Sequence, residues 1–167
     1  MIHILPYLEH TIRTKKSPQE IHDILQSATA PKREWFSDTP GDFIGRIDSY
    51  DFKIMSNIHI HYRNPFLPVI NGTIRKEEGA YVVSLKMQLR LLTYVFLIIW
   101  FVFVGFDFLV GILYLITYES ADATMVLLAS GFLAFGQLIS RCGFHFPAQN
   151  AIKRLEELLN EETPSAF

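Results

Sequence analysis

His59 and His61, at alternate positions, and Asp107, alone in a long apolar stretch, are the residues whose types and placement could do chemistry. Alternate residues of a strand project from one face, so two imidazoles at that spacing form part of a transition-metal site. A site needs a third ligand, which His3, His10, His22 or Glu34 could supply, but no second ligand motif accompanies the pair. The two histidines also read as the polar face of an amphipathic strand. That plainer reading is preferred, so no metal and no cofactor is expected. The sequence carries no nucleophile elbow, phosphate-binding glycine loop or Glu/His zinc motif. A metal-dependent enzyme therefore rests on His59 and His61 alone and stands last among the functional readings.

Asp107 lies as far before Thr117 as Leu133 lies after Ala123, and these two stretches are the apolar ones. An antiparallel hairpin sets Asp107 near the depth of Leu133 and Ala134, with Ser130 and Gln137 within about one helical turn. An ionised carboxylate at mid-bilayer costs at least about 2.5 to 3.5 kcal/mol, and a protonated one bonded to Ser130 or Gln137 would lower that cost. Asp107, Ser130 and Gln137 are thus the expected intramembrane polar site. The site reads as a proton- or cation-responsive centre, as a contact between protomers, or as a side chain satisfied within its own hairpin.

The segments that position Asp107 are Leu91 to Thr117 and Ala123 to Ser140, joined by the acidic link Tyr118-Glu-Ser-Ala-Asp122 and free of Lys and Arg. Helices satisfy their own backbone hydrogen bonds, and about 20 apolar residues of helix cross a hydrocarbon core. The pattern predicts a transmembrane hairpin over 91–141. Lys86, Arg90 and Arg141 flank it while the link holds only Glu119 and Asp122. By the retention of positive charge on the cytoplasmic side, both termini are expected in the cytosol and the membrane is expected to be the plasma (inner) membrane. The opening Met1-Ile-His-Ile-Leu-Pro6 does not read as a signal peptide. At about 1.5 Å per residue, Leu91 to Thr117 would reach about 40 Å, beyond the roughly 30 Å core. Either the helix tilts, or its first turn belongs to the soluble lobe.

Fifty percent hydrophobic and 19% charged residues describe two environments in one chain of 167 residues, enough for one soluble lobe beside the hairpin. A net charge of −2 argues against a nucleic-acid partner. The single cysteine, Cys142, leaves no intrachain disulfide. Period-two alternation marks strands through Phe52, Ile54, Ile58, Ile60 and Tyr62, through Val83, Leu85, Met87, Leu89 and Leu91, and through Phe66, Ile70 and Ile74. Phe43 to Ile47 and the first residues, to Ile12, add two more. Ser17-Pro-Gln-Glu20 is a capping box that opens a helix ending before Pro31. Pro147 is expected to open a separate amphipathic helix, within 145–162, carrying Ala151, Ile152, Leu155 and Leu159 on one face. The fold class is α+β: an antiparallel sheet of about five strands, covered by one or two helices, with the hairpin inserted before the C-terminal helix. Residues 1–90 form the first part of the lobe, and the C-terminal helix packs back on it.

This element order is similar to a shortened helix-grip arrangement, as in START and plant allergen-type proteins, and to a truncated PH-like barrel. The stretches Phe43-Ile-Gly45-Arg-Ile47 and Tyr62-Arg-Asn-Pro-Phe-Leu-Pro-Val-Ile-Asn-Gly-Thr-Ile74, followed by a strand and an apolar hairpin, resemble small uncharacterised bacterial two-span membrane proteins over about residues 43 to 117. That resemblance implies topology and no activity. The reading is a membrane protein with a cytosolic binding, sensing or scaffolding lobe. Its partners are the lipid bilayer and either a homo-oligomer or another membrane protein. The alternative is a subunit of an oligomeric channel or transporter that uses Asp107.

Overall fold

A computed structural model describes residues 5–31, 41–57, 64–77, 79–118 and 122–160. The chain runs β1 (Tyr7–Thr14), α1 (Pro18–Ala28), β2 (Thr29–Pro31), β3 (Phe43–Ile47), β4 (Asp51–Ser56), β5 (Val69–Glu77), β6 (Ala80–Gln88), α2 (Leu91–Thr117) and α3 (Thr124–Asn160). The strands form one six-stranded sheet in the order β1-β6-β5-β4-β3-β2. Alternation decides which face is covered. Val83, Leu85 and Met87 of β6 are buried while Lys86 and Gln88 are exposed. Met87 pairs with Leu8 on one side and Ile70 on the other, so the apolar positions line up across strands.

Two helices cover that face. Ile21 and Leu25 of α1, with Phe144, Ala148, Ala151, Ile152, Leu155 and Leu159 of α3, enter one core with Ile12, Phe52, Ile54, Ile70 and Val83 of the sheet. Each fully buried Leu or Ile contributes about 1.5 to 3 kcal/mol relative to exposure. The capping box forms as expected: Glu20 N–H donates to Ser17 Oγ at 3.3 Å, and Ser17 N–H donates to Glu20 Oε2 at 2.6 Å. Thr14 Oγ1 donates to the Leu159 carbonyl at 3.1 Å and His10 meets Glu156 at 2.8 Å, fixing the end of α3 over β1. At the other edge Arg154 pairs with Asp42 at 2.9 Å. The Asp42 and Glu157 carboxylates raise the pKa of that guanidinium.

The α+β class and the covered sheet agree with the sequence, and three details differ. The sheet has six strands and not about five, and it is mixed, because β2 pairs with β3 in parallel while the other neighbours are antiparallel. Three residues ending in proline are too short to show a period, and proline suits an edge because it donates no hydrogen bond. The third difference concerns Pro147. In place of a second membrane helix followed by a separate amphipathic helix, α3 is one helix of 37 residues with Pro147 inside it.

Both α2 and α3 are long and apolar enough to cross a membrane. Leu113, Ile116, Leu127 and Phe135 are among many large apolar side chains exposed on them. The two helices pack on each other where side chains are small. A Cβ on Gly111 would lie 2.9 Å from Val126 Cγ2, and one on Gly136 would lie 3.1 Å from Trp100 Nε1. Trp100 in turn meets Phe132 edge to face, with ring centres 6.1 Å apart.

Candidate functional site

The junction between the sheet and the two long helices is built on a turn at Asn64. Its Oδ1 accepts from the Phe66 N–H at 2.9 Å, which closes the turn, and its Nδ2 donates to the Gly143 carbonyl at 2.7 Å. Gly143 stands four residues before Pro147, so its carbonyl is the one that a proline in the helix leaves without an intrahelical donor. Asn64 supplies the missing donor, and α3 continues. A side chain at 143 would collide with the turn, since a Cβ there lies 2.8 Å from Phe66 Cδ2 and 3.1 Å from Phe66 Cβ. On the other flank Thr93 Oγ1 of α2 donates to the Pro65 carbonyl at 2.7 Å. Leu89 and Leu97, buried on either side of the start of α2, join the lobe core. The turn at 64–67 is thus clasped between the two helices.

Beside this joint, where β1, β4, β5 and β6 meet the start of α2, lies a cleft of about 890 Å³. Lys53, Gln88 and Arg90 line it on the sheet side, and Leu91, Ile98 and Val102 on the helix side. No carboxylate among the described residues lines it. Arg90 Nε is buried without a hydrogen-bond partner. Neither Lys53 nor the Arg90 side chain has an ion-pair partner among the described residues. Glu9, the acid of β1 on this face, already takes the Tyr7 hydroxyl at 2.5 Å and Lys86 at 3.8 Å.

The residues expected from sequence to carry chemistry are placed apart. Asp107 is exposed on α2, with no hydrogen bond or ion pair among the described residues. The packing of Gly111 on Val126 and of Trp100 against Gly136 sets Asp107 level with Ser130, and puts Gln137 about two turns further along. Ser130 Oγ donates to Val126 O of its own helix at 2.7 Å, and Gln137 Oε1 accepts from Arg141 at 3.3 Å. The three therefore form no hydrogen-bonded cluster. His59 and His61 lie outside the described residues, as do His3 and Glu34. Of the other proposed ligands, His10 is engaged by Glu156 and His22 sits half-buried on α1. Among the described residues no three His, Cys, Asp or Glu side chains come together in a metal-binding group.

Neither Asn64, which stands in the sequence only within the stretch Tyr62 to Ile74, nor Arg90, which reads there as a flanking positive charge, is marked for a role at a site by sequence alone. One signal for the first existed. A proline inside a continuous helix frees the carbonyl four residues back, so a donor must be found, and an Asn in a turn can serve. No family model, curated protein or solved structure matches this chain.

Proposed function

We propose that the protein is a two-span integral membrane protein with both termini in the cytosol, and that its lobe is a binding, sensing or scaffolding module mounted rigidly on the plasma (inner) membrane. The observation that carries this reading is α3, which continues from its apolar half, Thr124 to Ser140, into the lobe core without a linker. Large apolar side chains left exposed along α2 and α3 need a hydrocarbon surround. Lys86, Arg90 and Arg141 at the lobe end of the helices, against Asp122 at the far end, support the orientation.

The single cysteine tests it. Cys142 is exposed, one residue past Arg141. A membrane-impermeant maleimide should label Cys142 in inverted vesicles and spare it in intact cells. In a Cys142→Ser background, Asp122→Cys should show the reverse. Inverted labelling at both positions would sink the orientation, and release of the protein by alkaline carbonate would sink the membrane reading.

A second reading draws on Asp107. Asp107 is exposed on α2 and has no hydrogen bond or ion pair among the described residues, which supports a reading in which it bonds a second copy within the bilayer. Wild-type and Asp107→Asn protein in nanodiscs should then share a defined oligomeric mass that Asp107→Leu loses. A monomer in all three would remove this reading.

A further inference from the structure

We propose that the cleft between the sheet and α2 is a binding site for an anionic glycerophospholipid, whose phosphate meets Arg90 and Lys53 and whose acyl chain lies along Leu91, Ile98 and Val102. This proposal rests on the membrane reading above. Arg90 and Lys53 line one cleft with no carboxylate among its described residues, and the buried Arg90 Nε has no acceptor among them. A buried N–H without a partner is costly, and a guanidinium is matched best by the paired oxygens of a phosphate or carboxylate. The neighbouring Gln88 amide, which also lines the cleft, can donate to the same headgroup.

The apolar end narrows the class. Leu91 is 78% exposed and Val102 is 64% exposed, and both line the cleft with Ile98 between them. From Leu91 to Val102 the helix rises about 16 Å, close to one leaflet's share of the roughly 30 Å hydrocarbon core. A soluble anion would leave that wall bare, whereas a lipid covers it and keeps its headgroup at the level of the cations. The volume of about 890 Å³ suits a headgroup and the upper part of its chains.

The test uses the full-length protein in neutral detergent, titrated with phosphatidylglycerol, with phosphatidylcholine of the same chains, and with glycerol 3-phosphate, and read by native mass spectrometry. Phosphatidylglycerol should bind about tenfold or more tightly than phosphatidylcholine, since each cation near an anionic headgroup adds about one factor of five. The double variant Lys53→Gln/Arg90→Gln should lose that preference, Arg90→Lys should keep most of it, and Ile98→Trp should weaken binding of both lipids. Arg46→Gln, on β3 and outside the cleft, should behave as wild type. Circular dichroism melts show which variants are folded, and the preference is judged on those. Equal binding of the two lipids, or a double variant that keeps the preference, would overturn the proposal. Competition by glycerol 3-phosphate as strong as that by phosphatidylglycerol would assign the site to free phosphate esters and overturn the lipid. Carbonate extraction keeps the two readings distinct: a protein that stays in the membrane but shows no lipid preference refutes only the cleft.

Discussion

Asn64, Gly143 and Pro147 form a compensated defect, and its compensation can be measured. Asn64→Ala leaves the Gly143 carbonyl without a donor, so a loss of about 1 to 3 kcal/mol in stability is expected from thermal or denaturant unfolding in detergent. In Pro147→Ala the restored N–H can reach that carbonyl, and the same Asn64→Ala change should then cost much less. Strict additivity of the two substitutions would show that the amide does not replace the helical donor. Gly143→Ala makes a different prediction. Its Cβ falls within 2.8 Å of Phe66, and such overpacking typically costs about 1 to 3 kcal/mol. Phe66→Ala in the same chain should recover part of the loss.

At the scale of elements, helix α1 is held at its start by the reciprocal bonds of Ser17 and Glu20. The Ser17 backbone N–H, followed by its hydroxyl, lowers the pKa of the Glu20 carboxyl below its ordinary 4.5. A carboxylate whose folded pKa is depressed adds stability above the unfolded value, and that contribution fades as pH falls through the folded value. Acidification from about pH 6 to pH 3 should therefore destabilise the wild type more than Glu20→Gln, which keeps an acceptor but has no charge to lose. Melting temperatures across that range, read at the helical circular dichroism band, would decide it, with parallel curves counting against the capping box. Ser17→Ala should cost about 1 kcal/mol at neutral pH. Asp122 acts similarly at the start of α3, where its Oδ1 accepts from Thr124 N–H at 3.0 Å and from Thr124 Oγ1 at 2.8 Å.

For the whole molecule, the core is shared: Leu89 and Leu97 flank the start of α2, Phe144 lies in mid-α3, and all three pack into the cluster that fills the sheet. Lobe and helices should then unfold together. In Phe144→Ala, which loses about 3 to 5 kcal/mol, the circular dichroism transition and the Trp100 fluorescence transition in a Trp35→Phe background should both fall and still coincide. Two separated transitions would mean that the lobe is an independent body on an anchor. The sequence by itself determined the apolar spans, the positive flanks, the capping box and the alternation of β4 to β6, because each is a local pattern whose period or chemistry is complete within a few turns. The parallel strand Thr29–Pro31, the unbroken α3, the meeting of Asn64 with Gly143 and the cleft that Lys53 and Arg90 both line emerge only in the tertiary structure. Each joins residues distant in sequence, and the energetics of a proline in a helix or a cation in a cleft depend on the partner that the fold brings to it.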